Sequence, residues 1–408
     1  MKIETEPLPR PGRDVGFLVG GRLVSAVAQS VMVLWLVTIE SPGQVGFLLT
    51  WFSIALIFSG ATDFGFTTMI LLAMKTSWPR AKSLLGADTF VSTVLAAFIV
   101  TTACAVIALA KSPAFVGLVI SAGLMLLWAL FETLTEAGNM VQLGRNQSAL
   151  AGVAIAMRRI LALGLYGAFV TLGLRDFAFP VALLGGAAVV YIFLPKAWSW
   201  PRVFTKGLLL ELRPYAIMSA VGQLRNFDVP LMASVFGATR SAPYALGARL
   251  ANPVLILAGS VGNVLVARRK HIRVSQLGLV ILAGSGLLGM VLAVSPFAAP
   301  IIASFAQPYV SWLNGPNVYV ALVVFCRFLM VALTMVLSST LVSMAKVTYA
   351  ARVNVVFALI ASGTILIVGL GTNQILVTLF ASISIYVFQV AALGVAALSG
   401  ARRDVHDV

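Results

Sequence analysis

The sequence predicts an all-α polytopic membrane protein, with twelve transmembrane helices in two six-helix lobes around a central cavity and both termini on the cytoplasmic side. Three observations carry this expectation. Hydrophobic residues make up 60% of the 408 and charged residues only 10%, where a soluble chain carries about a quarter charged. A mean hydropathy of +1.01 is an apolar excess that no water-soluble core of this size can hide. Runs of roughly 20 mostly apolar residues, the length that crosses a bilayer, recur twelve times along the chain.

The spans fall near 15–38, 44–72, 84–110, 114–137, 148–173 and 177–194, then near 214–237, 243–266, 275–304, 317–344, 353–370 and 375–399. The second, ninth and tenth are long, which predicts tilts or kinks there. The N-terminal MKIETEPLPRPGRD is polar, and the run after it is too long for a signal-peptide core and lacks a small-residue cleavage site, so the first helix is expected to stay in the mature protein. Assigning the gaps alternately to two sides places nineteen Lys and Arg on one side, and only Lys111, Arg175 and Arg240 on the other. The crowded side is therefore cytoplasmic. The longest gap, PKAWSWPRVFTKGLLLELRP, carries Trp198, Trp200 and Phe204 beside Lys196, Arg202 and Lys206, the composition of an interfacial segment facing anionic head groups. It divides the chain into an N-terminal lobe 1–195, an amphipathic linker 196–213 and a C-terminal lobe 214–408.

Several function classes are excluded. The formal charge of +15 is scattered among short gaps, not gathered into the cationic surface a nucleic acid requires. Cys104 and Cys326 both lie in apolar runs, and His271 and His406 are far apart, so neither a disulfide nor a metal site is expected. No G-x-x-x-x-G-K-[ST] loop occurs, and no carboxylate or histidine cluster sits in an outer loop. No enzyme activity, cofactor or metal is expected.

Charge inside the spans is the chemical signal, because a buried charge costs at least ~2.5–3.5 kcal/mol on insertion scales and must face protein or water. Six arginines lie there: Arg22, Arg158, Arg159, Arg225, Arg249 and Arg327. Counted against them are Asp63, Glu132, Glu136 and Asp228, leaving the interior positive by two. Glu132 and Glu136 share a helix face near the depth of Arg158 and Arg159, as a structural clamp or as part of a binding site. Adjacent arginines diverge by ~100° around a helix, so at most one of that pair is expected to line a cavity. Ser219, Gly222, Gln223 and Asn226 form a polar stripe in the seventh span, where Arg225 and Asp228 can pair locally ahead of Pro230. Arg22, Ser25, Gln29 and Met32 form a second stripe, and Arg249 precedes the kink residues Asn252 and Pro253. Arg327 stands alone in its span. Asp63 is the most isolated acid, a candidate for ion coupling or for a salt bridge to Arg22. Guanidinium stays protonated and its planar fork fits phosphate oxygens, so a cavity with this surplus is expected to draw a phosphate or diphosphate and to repel lipophilic cations.

Three stretches carry a family resemblance: GGRLVSAVAQS, SPGQVGFLLTWFSIALIFSGATDFGF and DVPLMASVFGATRSAPYALGARLANPVLILAGSVGNVLVARR. In these the chain resembles the polysaccharide transporter branch, the O-antigen and teichoic-acid flippases, of the multidrug/oligosaccharidyl-lipid/polysaccharide exporter superfamily. The resemblance implies a V of two lobes with alternating access in the bacterial inner membrane. Its substrate would be an oligosaccharide on an isoprenoid diphosphate, flipped outward for surface polysaccharide synthesis. It implies that arginines of the cavity hold the diphosphate, for which the candidates are Arg22, Arg225, Arg249, Arg158 and Arg327; by the reading of the residues themselves, Asp63 and Asp228 are the candidates for coupling an ion gradient, and Glu132, Glu136 and Arg159 the candidates for structural pairs. Membrane lipids, a polysaccharide polymerase and glycosyltransferases are the partners implied. The main alternative is an ion-coupled multidrug exporter of the same superfamily. A major-facilitator carrier is disfavoured, since MKTSWPRAKSLLG lacks that family's glycine-rich basic signature, and a non-transporting scaffold would tolerate loss of all six arginines.

Overall fold

A computed structural model of the chain describes residues 11–74, 77–110, 112–197, 226–259, 274–343 and 346–406, with residues 207, 210–213, 215–216 and 223 between them. Helices are α1 (Pro11–Ile39), α2 (Pro42–Thr62), α3 (Phe66–Met74), α4 (Trp78–Leu109), α5 (Pro113–Gly144), α6 (Ser148–Thr171) and α7 (Ala178–Phe193). After these come α8 (Asp228–Phe236), α9 (Ala238–Leu250), α10 (Val274–Ala306), α11 (Gly315–Ser343), α12 (Val347–Thr372) and α13 (Ile375–His406). Each of the twelve expected spans contains helix, and nine described helices are long and apolar enough to cross a membrane. The protein is all-α and multi-pass.

The boundaries have local causes. Ser77 and Ser112 are extended, and a proline stands in the first turn of α4 and of α5, where a missing N–H costs nothing. Both helices have 32 residues, about 48 Å at ~1.5 Å per residue, so their ends project beyond a hydrocarbon layer of ~30 Å. The second expected span is not one continuous helix. It breaks between α2 and α3, where Phe64 (φ 47°) and Gly65 (φ 78°) turn left-handed. Gly65 is required there on two counts, because an added Cβ would also lie 2.5 Å from Cβ of Tyr215. Gly237 (φ 80°) separates α8 from α9, Ala251 ends α9 just ahead of Asn252 and Pro253, and left-handed Asn373 closes α12.

The chain divides into two compact units, Met1–Met32 with Ile54–Gln223 and Val33–Ser53 with Leu224–Val408. In the first, the core joins Phe66, Met69 and Ile70 of α3, Leu84 and Leu85 of α4, and Ala137 and Val141 of α5. Ala197 and Leu212, from the expected linker, are part of the same core, and Glu211 pairs with Arg80; Trp198, Trp200, Arg202, Phe204 and Lys206 lie outside the described residues. α1 and α6 cross at Gly21 and Gly152, where an added Cβ would lie 2.1 Å and 2.4 Å from the facing carbonyl oxygen. Small residues let backbones approach this closely in lipid, where dispersion and polar contacts replace the hydrophobic drive. The second unit uses the same device at Gly46 of α2 against Ala238 and at Gly247 of α9 against Ala321. Its α11, α12 and α13 are joined by hydrogen bonds from Asn354 to Ser338 (3.0 Å) and from Gln389 to Asn354 (2.9 Å).

Candidate functional site

Charge gathers at one cluster in each unit. In the first, Glu132, Thr135 and Glu136 lie on one face of α5 and meet arginines from α6 and α1. Arg158 sits 3.2 Å from Glu132 and 3.5 Å from Glu136 and donates to the Thr135 hydroxyl at 3.1 Å. Arg159 donates to the same Glu132 oxygen at 2.8 Å, with its guanidinium 5.1 Å from the centre of the Trp128 ring. Arg22 reaches Glu136 at 3.6 Å. The expected divergence of the two neighbouring arginines is not what the structure shows: their side chains are long enough to converge on one carboxylate from adjacent positions of the helix. Three guanidiniums share two carboxylates. Only the outer pair is wet, with the Arg22 and Glu136 side chains 24% and 27% exposed. Arg22 thus pairs with Glu136, and Asp63 stands at the break between α2 and α3. Its carboxylate accepts the N–H groups of Gly65 (3.2 Å) and Thr67 (3.1 Å), capping α3 just past the break.

In the second unit Arg327 of α11 is not alone but the hub of a buried network. It pairs with Asp228 of α8 and donates to Ser382 and Tyr386 of α13, both at 3.1 Å, with the Tyr386 ring centre 4.7 Å away. Tyr244 of α9 donates its hydroxyl to the same carboxylate at 2.6 Å. The partner expected for Asp228 was Arg225, which lies outside the described residues, as do Ser219 and Gly222. Arg249 is buried, donates to the Ser53 hydroxyl and lies 4.7 Å from the Phe52 ring centre. Ser25, Gln29 and Met32 of the first-helix stripe are buried, so helix packing rather than water covers that face.

One intramembrane acid is missing from the sequence count. Asp88 lies in α4, fully buried, so the interior holds five acids against six arginines and its surplus falls from two to one. Its signal was visible as a lone carboxylate within the apolar run 84–110. Among the described residues no group of three His, Cys, Asp or Glu could hold a metal ion.

No family model matches the chain, and no curated protein matches it by sequence. Solved structures do. The chain is similar to a multidrug resistance MATE family transporter of the MOP superfamily in its inward-facing conformation, at 15% identity over 95% of this chain and 94% of that one, with a TM-score of 0.65. Against the outward-facing conformation of such a transporter the TM-score is 0.64, at 14% identity over 96% and 97%. A third likeness is to a MOP superfamily transporter from Pyrococcus furiosus Vc1, described as having a binding pocket of reverse polarity that suggests a different function, at 14% identity over 96% and 94% with a TM-score of 0.55. The fold is that of the MATE-type transporters of the MOP superfamily. This is a coarser result than the polysaccharide branch that the sequence motifs resemble.

Proposed function

We propose that this protein is a cation-coupled exporter of the multidrug type, moving amphiphilic organic cations across the bacterial cytoplasmic membrane by alternating access and without covalent chemistry. The observation that carries this reading is the pairing of four of the six intramembrane arginines with carboxylates. Arg22, Arg158 and Arg159 are bound to Glu132 and Glu136, and Arg327 is bound to Asp228. A guanidinium held by a buried carboxylate offers an incoming anion little net attraction, since that anion must displace the existing partner. The expected repulsion of cations rested on a larger arginine surplus than the chain holds. Likeness along nearly the whole chain to both inward- and outward-facing MATE structures supports the same reading. Asp63 and Asp228 are the coupling carboxylates the sequence points to.

The second reading is the lipid-linked oligosaccharide flippase, with diphosphate held by Arg22 and Arg158 together with Arg225, Arg249 and Arg327. It is favoured by the three guanidiniums that share two carboxylates in the first unit's cluster, by the exposed edge of that cluster at Arg22, and by the likeness to a transporter whose pocket is described as reversed in polarity. Expression in a bacterium stripped of its own drug pumps separates the two. The exporter reading expects resistance to ethidium and lower dye retention. Unchanged sensitivity, with lipid-linked glycan accumulating on the inner leaflet when the native gene is deleted, favours the flippase.

A further inference from the structure

The end of the first unit at which α4 begins and α5 and α7 finish is basic. Arg80, Lys82, Arg145, Lys196 and Arg213 are exposed there. Among the described residues the acid beside them is Glu211, and it is paired with Arg80. Lys82 and Arg145 are left without a carboxylate, and the two converge on one aromatic ring. Arg145, just past the end of α5, has its guanidinium 4.5 Å from the centre of the Trp78 ring. Lys82 follows Trp78 by four residues on α4, which puts their Cβ atoms about 6 Å apart on one helix face. Trp78 is 39% exposed. Apolar side chains are exposed at the same end: Leu72 of α3, and Ile192 and Phe193 of α7. The last two stand just ahead of Lys196, whose ammonium donates to the Ile192 carbonyl at 2.9 Å.

Depth decides what this surface meets. At 32 residues each, α4 and α5 outrun a bilayer of about 40–45 Å with its head groups included. Their ends therefore lie in the head-group layer or just past it, and Lys82, about 6 Å inward of Trp78 along the axis, lies within it. A soluble acidic partner would match the cations but not the exposed leucine, isoleucine and phenylalanine at the same end. A phospholipid presents both parts, phosphate for the cations and acyl chain for the apolar side chains, at the level that tryptophan rings favour.

We propose that Trp78, Lys82 and Arg145 form a binding site for the head group of an anionic phospholipid, on the side that the charge balance assigns to the cytoplasm. The phosphate sits between the Lys82 ammonium and the Arg145 guanidinium. The Trp78 ring holds one face of that guanidinium, which leaves its N–H edge to donate to phosphate oxygens. Because one cation belongs to α4 and the other to the end of α5, the lipid ties the two helix ends together. Lys196 and Arg213 extend the basic surface around the site, which favours a lipid of net negative charge over a zwitterionic one. The inference concerns the lipid that holds the unit, not the solute it moves, and it stands under either transport reading.

The test titrates full-length protein in a non-ionic detergent with phosphatidylglycerol or phosphatidylcholine and follows its unfolding temperature. Phosphatidylglycerol should raise that temperature at lower concentration than phosphatidylcholine does. Each cation close to an anionic head group is worth about fivefold in affinity. In Lys82→Gln/Arg145→Gln the half-maximal phosphatidylglycerol concentration should therefore rise about thirtyfold, with the phosphatidylcholine response unchanged. Lys82→Arg/Arg145→Lys, which keeps both charges, should respond as wild type. So should Lys111→Gln/Arg175→Gln, which removes the same charge on the opposite side. Equal responses of the wild type to the two lipids, or an undiminished phosphatidylglycerol response in Lys82→Gln/Arg145→Gln, would overturn the proposal. Equal weakening in Lys111→Gln/Arg175→Gln, or the same stabilisation by inorganic phosphate without lipid, would also overturn it. Should Lys82→Gln/Arg145→Gln fail to fold, the two single variants decide the question, each expected to weaken the phosphatidylglycerol response about fivefold.

Discussion

Replacing Arg327 with methionine should destabilise the second unit far more than replacing Arg327 and Asp228 together. The arginine is buried and tied to Asp228, Ser382 and Tyr386, on two helices other than its own. Removing it leaves the Asp228 carboxylate buried with Tyr244 as its remaining side-chain donor among the described contacts. Stranding one partner of a buried pair costs about 3–5 kcal/mol, whereas replacing both with apolar groups of similar size is near neutral or stabilising. Arg327→Met, Asp228→Leu and the double variant are therefore compared by unfolding in mixed micelles of mild and denaturing detergent. Each single variant should lose about 3–5 kcal/mol, and the double should lose much less than the sum of the two. Single losses below about 1 kcal/mol, or a double variant as unstable as the sum, would refute the assignment of this network as the charge-neutralising hub of the unit.

Other consequences are open to the same unfolding measurement. Gly21→Ala should destabilise markedly, since its Cβ would lie 2.1 Å from the Gly152 carbonyl oxygen, while Gly20→Ala, with nothing within 4 Å of the added carbon, should be neutral or gain up to about 1 kcal/mol from helix propensity. Glu132→Gln should cost about 3–5 kcal/mol, because its carboxylate serves two buried guanidiniums. Glu136→Gln should cost about 1 kcal/mol or less, because its pairs are longer and half-screened by solvent; equal losses would contradict that ranking. Gly65→Ala should cost at least ~1 kcal/mol, through a left-handed backbone and a collision with Tyr215.

Much of the architecture was readable because apolar run length is a direct measure of bilayer thickness and needs no tertiary information. The break at Phe64 and Gly65 was not, since φ > 0 at a phenylalanine is imposed by the fold around it, not by residue type. The charged residues of the clusters were legible as residues, through their cost in lipid, but their partners were not. Helix-to-helix pairing depends on crossing geometry, so Asp228 found Arg327, 99 positions away, where proximity in sequence pointed to Arg225. Arg158 and Arg159 converge on Glu132 for a related reason: reach along a flexible side chain outweighs the direction of its Cβ. Asp88 was readable as a residue, but its place on the buried face of α4 was not.

The most direct test of the account is transport by the purified full-length protein in sealed vesicles under an imposed pH gradient, with ethidium and a fluorescent isoprenoid-diphosphate lipid assayed in parallel. Ethidium should move uphill and this movement should collapse when the gradient is dissipated, with no flipping of the diphosphate lipid above protein-free vesicles. Lipid flipping without ethidium movement would contradict it.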